Sequence, residues 1–235
     1  MTVPDLELRG LAYRYPDGTL GLAGIDLAIS AGERVALLGA NGAGKSTLLL
    51  LMAGMISGEG EVMLKGSPLA RVDRLMVRRT IGLLFQDPDD QLFCPSVRED
   101  VAFGPLNLGV PENEVERRVS DALEKTGIGR LAGRPAHHLS LGERKRAALA
   151  SVLSMGPSVL LMDEPTSNLD PRGRRELLGI LREVGGTQVV ATHNLEFART
   201  LCSRGIILSE GRIVLDGPME ALTSDEEMLE RYGLK

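Results

Sequence analysis

Two hydrophobic periods share this chain. Near the start, Leu6 and Leu8 alternate with charged residues, and Ile25, Leu27 and Ile29 repeat that spacing. Alternation of this kind predicts short antiparallel strands with one buried face, and Pro16, Asp17 and Gly18 between them predict a turn. The run 35–38 is different: it is apolar without a break, as a parallel strand buried on both faces requires. A glycine-rich turn follows, then a helix carrying the apolar residues 48–53. Val62 and Leu64 mark another alternating strand. Prolines 88, 95, 105, 111 and 135 punctuate the next stretch, where the helical period returns at 112–125 through Val115, Val119, Ala122 and Leu123. A second helix is expected at about 141–155, a buried strand at 159–162, a helix at about 171–184 and a strand at 188–192. Residues 205–216 read as a hairpin turning at Glu210 and Gly211.

Strands alternating with helices after an antiparallel start predict an α/β fold with a mostly parallel sheet. One domain over 1–235 is expected, in which 1–86 and 156–235 form the α/β core and 87–155 a helical insert. No apolar run approaches the about 20 residues of a bilayer-spanning helix, and the first ten residues show no secretory signal. Charge adds an exclusion. With 27 basic and 32 acidic residues the net charge is −5, and aromatics are 3% of the chain, so no nucleic-acid partner is expected. Two cysteines, Cys94 and Cys202, are too few for a disulfide framework or a zinc cluster.

The chemistry concentrates in two places. Gly39, Ala40, Asn41, Gly42, Ala43, Gly44, Lys45, Ser46 and Thr47 fit the Gly-x-x-x-x-Gly-Lys-Ser pattern between a buried strand and an apolar helix. Backbone N–H groups of such a loop curl around a triphosphate, with the helix N-terminus aimed at the same anion. Lys45 is expected to reach the β- and γ-phosphates and Ser46 to ligate Mg²⁺. The second place is the end of the strand at 159–162. There Asp163 is expected in the metal shell, and Glu164, pointing the other way along the strand, as the group that polarises the attacking water.

Leu139, Ser140, Leu141, Gly142 and Glu143 precede that pair, and Ser167, Asn168, Leu169 and Asp170 follow it. Together with Gln86 and His193 they resemble the motif set of ATP-binding-cassette ATPases, over nearly the whole chain. The resemblance implies a P-loop nucleotide-binding fold, and a head-to-tail dimer with a copy or a related ATPase. In that dimer each phosphate loop faces the other subunit's signature segment (Ser140, Leu141, Gly142, Glu143). It further implies that Tyr15, with Tyr13 as its competitor, stacks on adenine, that Gln86 senses metal and water, that His193 contacts the γ-phosphate, and that Asp170 lies in the loop linking the two sites. The same Ser140 and Glu143 also form a capping box. Gly and Gln are usual in the family where Leu141 and Glu143 stand.

The segment 85–93, with 97–105, resembles the ATPases of energy-coupling-factor importers, most closely their cobalt and nickel branch. This implies an integral membrane subunit docking near 86–105, on the cytoplasmic face of the membrane. The vitamin-type importers of that group remain open, as do, more distantly, cassette ATPases acting on DNA or the ribosome. The DNA-associated relatives carry a long coiled coil, and no sustained heptads occur here.

Overall fold

Strand β1 (Leu6–Arg14) pairs antiparallel with β2 (Leu20–Ile29) and with β4 (Glu59–Leu64), and β5 (Ser67–Pro68) extends that sheet. The other sheet has the order β10 (Arg212–Pro218), β9 (Arg204–Ser209), β3 (Arg34–Leu38), β8 (Thr187–Ala191), β7 (Val159–Asp163), β6 (Ile81–Leu84). All its pairings are parallel except β10 with β9. This computed structural model describes residues 3–234; Met1, Thr2 and Lys235, at the ends of the expected domain, lie outside the described residues.

The pleat explains the unbroken apolar strands. Val35, Leu37, Val159, Leu161, Val189, Ala191, Ile206 and Leu208 face a core shared with the antiparallel sheet and helix α1 (Lys45–Met52). Ala36, Leu38, Leu160, Met162, Val190 and Ile207 face a second core on the opposite side. Each such side chain, when large and fully buried, contributes about 1.5–3 kcal/mol relative to exposure. A polar residue at any of these positions would lose that and gain a desolvation cost.

The second core is built with α3 (Val97–Asn107), α4 (Glu112–Lys125) and α5 (Leu141–Leu153). Helix α4 buries the four residues expected, Val115, Val119, Ala122 and Leu123. Helix α3 was not expected among so many prolines. Ser96 caps it by accepting the Glu99 N–H, and Pro105 lies inside it. A proline removes the N–H that would bond the carbonyl four residues earlier. That carbonyl, Val101 O, instead accepts from Ser154 Oγ at 2.7 Å, so the helix continues past the proline.

Short helices α2 (Arg74–Thr80), α7 (Leu195–Leu201), α8 (Met219–Ser224) and α9 (Glu226–Arg231), and the longer α6 (Pro171–Glu183), complete the chain. The strand expected at 188–192 ends one residue early, which leaves Thr192 free to serve the site. Among the described residues no helix is long and apolar enough to cross a membrane.

Candidate functional site

Residues 39–44 form a turn between β3 and α1, with positive φ at Gly39, Gly42 and Gly44. At Gly39 and Gly44 a side chain would collide with the protein's own backbone. A Cβ on Gly39 would sit 2.3 Å from Leu208 O, and one on Gly44 would sit 2.9 Å from Gly21 O. Both are backbone contacts that cannot swing away, so the loop's closeness to its own sheets already demands glycine. Gly44 is the N-cap of α1 and supplies no side-chain cap, which leaves first-turn N–H groups for an anion. Ala40, Asn41 and Gly42 form the exposed rim, while Ala43 and Thr47 are buried.

Lys45 is 7% exposed, and its Nζ donates to Gly39 O and Ala40 O at 2.8 and 3.0 Å. Burial pushes its ammonium below the usual lysine range, against the attraction of Glu164 and Asp163. Asp163 shifts the opposite way: burial raises its carboxyl above the usual carboxylate range, although a hydrogen bond with Ser46 lowers it. Its Oδ1 is buried without a hydrogen-bond partner. A dry ammonium and a dry carboxylate, each driven toward neutrality, would both be relieved by a cation at Asp163 and phosphate at Lys45. Ser46 and Asp163 therefore fit a divalent cation. No cluster of three or more His, Cys, Asp or Glu side chains suited to a metal occurs among the described residues.

Glu164 lies just beyond β7, at φ +41. Its turn away from Asp163 thus comes from a left-handed backbone rather than from the strand's pleat, which corrects the reasoning from alternation. For a non-glycine residue that conformation costs on the order of 1–3 kcal/mol, so the surroundings must hold it. Its N–H donates to Ala191 O at 2.8 Å. Its carboxylate accepts from Thr192 Oγ1 (2.9 Å), the His193 N–H (2.9 Å) and His193 Nδ1 (2.7 Å). The side chain is 8% exposed. With Nδ1 donating to the carboxylate, the His193 Nε2 is left for a ligand.

Tyr13 packs on the core of the antiparallel sheet, whereas Tyr15 is 41% exposed and its hydroxyl hydrogen-bonds Thr47 Oγ1 at the start of α1. The pair meet edge to face at 5.2 Å. Of the two tyrosines, Tyr15 is the one beside the loop with surface to offer. Gln86 is exposed, in the turn after β6.

Ser140 and Glu143 do form a complete capping box on α5. The Glu143 carboxylate takes both the N–H and the hydroxyl of Ser140 at 2.8 Å, and these bonds hold it below the usual carboxylate range. Leu141 and Gly142 open the helix. Ser140→Ala is expected to cost about 1 kcal/mol of stability, read by urea unfolding; an unchanged midpoint would count against the cap. Asp170 caps α6, accepting the Gly173 N–H at 2.7 Å.

The segment 86–105 carries a separate feature. Phe93 (65% exposed) and Phe103 (47%) meet edge to face at 4.9 Å, and Leu106 is 55% exposed. Buried Asp100 fixes this shape by accepting the N–H groups of Phe93 and Cys94, each at 2.9 Å.

Sequence reasoning missed Thr192 and Lys145. Lys145 is 4% exposed, on a face of α5 shared with buried Ala148, Leu149 and Val152. A lysine within an apolar stripe was the available signal. Its Nζ donates to Gln86 O, Glu164 O and Ser167 Oγ, and burial pushes its ammonium down to about 8.

The ABC transporter family model matches residues 22–167, which include the loop, Gln86, Ser140 and the carboxylate pair but neither Tyr15 nor His193. The energy-coupling factor transporter ATP-binding protein EcfA of Methanothermobacter thermautotrophicus is 44% identical, over 98% of this chain and 76% of its own. The structure of CbiO1 from Clostridium perfringens, described as part of the ABC transporter complex cbiONQ, is 39% identical with a TM-score of 0.84. That likeness covers 99% of this chain and 95% of CbiO1. A dimeric ATP-binding cassette in a post-hydrolysis state, bound to ADP and Pi, is 26% identical with a TM-score of 0.82, over 91% of this chain and 98% of its own. A family match over more than half the length, together with these likenesses across whole chains, places this protein among the ATP-binding subunits of ABC transporters, and it is an ATPase.

Proposed function

We propose that the chain is the energy-coupling subunit of a membrane importer, working as one half of an ATPase dimer at the cytoplasmic face of the membrane. The second half is a copy of this chain or a related cassette ATPase. The observation that carries the reading is the pairing of a nucleotide site with an exposed aromatic patch on one chain. An ATPase acting alone has no use for Phe93 and Phe103 held in water.

In this reading the loop 39–47 binds the triphosphate of ATP, Lys45 reaches its terminal phosphates, and Tyr15 stacks on the adenine. Ser46, Asp163 and the Gln86 amide hold Mg²⁺, which when bound offsets charge on the phosphate oxygens. The Glu164 carboxylate orients the attacking water and accepts its proton. His193, steered by the Nδ1 contact, turns Nε2 to the γ-phosphate. Ser140, Leu141, Gly142 and Glu143 complete the facing subunit's site, with Asp170 between the two sites. The dimeric ADP- and Pi-bound cassette supports this arrangement. Because each site is shared, ATP binding closes the dimer and product release opens it.

The docking surface is the segment 86–105. The cargo in this reading is cobalt or nickel, supported by the resemblance of 85–93 and 97–105 to the cobalt and nickel branch. Replacing Phe93 and Phe103 together with aspartate is expected to lower capture of a membrane subunit about tenfold or more, measured by pull-down from detergent-solubilised membranes. Capture equal to wild type would reject the docking surface. Accumulation of labelled cobalt or nickel in cells carrying the intact complex tests the cargo, and uptake of neither metal rejects it.

A further inference from the structure

We propose that Lys145 is a positioning residue for hydrolysis, tying the signature helix α5 to the Gln86 turn and to the main chain of Glu164. An ammonium has three donors, and here three acceptors from two separate segments, the Gln86 turn and the 164–167 turn, meet it. They are Gln86 O at 3.2 Å, Glu164 O at 3.2 Å and Ser167 Oγ at 2.8 Å. The acidic groups facing it are Glu164, Asp87 and Asp163.

Burying a charge is costly unless it is fully hydrogen-bonded, so a lysine held here for packing alone would be a poor choice. Its partners explain its presence. Glu164 O also accepts the Ser167 N–H at 3.0 Å, so Lys145 and Ser167 hold the same left-handed turn between them. That turn aims the Glu164 carboxylate. Helix α5 begins at the residues expected to meet the facing subunit's nucleotide, and Lys145 lies one turn further on. A shift of α5 on closure therefore bears directly on the turn at Glu164. The neighbouring Arg144–Asp89 pair joins the same elements, with both contacts at 2.9 Å. Its Asp89 side chain is 60% exposed, and exposed ion pairs hold little, so the buried amine is the stronger tie.

The inference rests on Glu164 as the general base, so Glu164→Gln is assayed beside Lys145→Met and Lys145→Gln in the full chain. Lys145→Met keeps length and volume but removes the donor to Gln86 O and Ser167 Oγ and leaves Glu164 O with the Ser167 N–H alone. Its kcat is expected to fall about ten- to a hundredfold, while ATP affinity by calorimetry and KM stay within about threefold. Lys145→Gln, with two N–H donors, is expected to recover part of the loss. A kcat within about twofold of wild type for Lys145→Met overturns the proposal. So does a parallel loss of kcat and ATP affinity in both variants, the mark of a merely structural lysine. Should Lys145→Met fail to fold, Lys145→Gln decides: kcat lower by about threefold or more at unchanged affinity supports the role, and unchanged kcat overturns it. Wild-type turnover in Glu164→Gln removes the general base and this inference with it, whereas its loss there beside an unaffected Lys145→Met sinks the inference alone.

Discussion

Glu164→Gln is expected to bind ATP as wild type does, to accumulate as an ATP-bound dimer, and to turn over about 10²–10⁴-fold more slowly. The substitution preserves shape and most of the local bonding. The new amide oxygen can still accept from the His193 N–H, and the amide nitrogen can donate to Thr192 Oγ1, whose hydroxyl then acts as acceptor. The left-handed turn at φ +41 is held from outside by Ala191 O, Ser167 N and Lys145, so it survives. What is lost is the ability to take a proton from water, which an amide lacks. The phosphate loop, meeting ATP through other residues, is untouched. Binding and chemistry therefore separate, and a dimer that closes on ATP has no route to open. Sedimentation with ATP and Mg²⁺ and a phosphate-release assay read the two effects. A monomer under those conditions with wild-type turnover would remove Glu164 from the chemistry.

What the sequence makes legible follows from where information is local. The buried strands at 35–38 and 159–162 show themselves because both faces must be apolar, a demand each residue meets alone. The phosphate loop and the carboxylate pair are legible for the same reason, since their chemistry needs contiguous residues. Strand β6 was missed because its four residues include Gly82, which reads as a breaker. The reason for that glycine is tertiary: a Cβ there would lie 2.4 Å from Val152 Cγ1 and 2.9 Å from Pro157 Cγ, so α5 and its following turn need the gap. Helix α3 was hidden by Pro105, whose cost is offset by Ser154, the C-cap of α5, far along the sequence. The hold on Glu164 was equally out of sight. Thr192 and Lys145 reach it from β8's end and from α5, and no spacing rule links positions 145, 164 and 192.

Lys45→Ala is expected to weaken ATP binding about a hundredfold, close to 3 kcal/mol, as truncation of one partner in a buried charge contact does. The folded protein itself should change by less than about 1 kcal/mol. The ammonium is desolvated, and burial already presses it toward the neutral form, so its loss removes an electrostatic cost along with two hydrogen bonds. The carbonyls it leaves, Gly39 O and Ala40 O, lie at a loop whose rim is exposed, where water can reach. The lysine is thus retained for the ligand rather than for the fold. A thermal or chemical unfolding series separates these effects. At an ATP concentration of about 100 times the wild-type Kd, ligand binding stabilises the wild type by about 2.7 kcal/mol. The same concentration only matches the Kd of a variant weakened a hundredfold, so its stabilisation falls to about 0.4 kcal/mol. Equal stabilisation of both proteins by ATP would mean that the loop at 39–47 does not hold the phosphates. With that result, every assignment built around Lys45, Asp163 and Glu164 would lose its substrate.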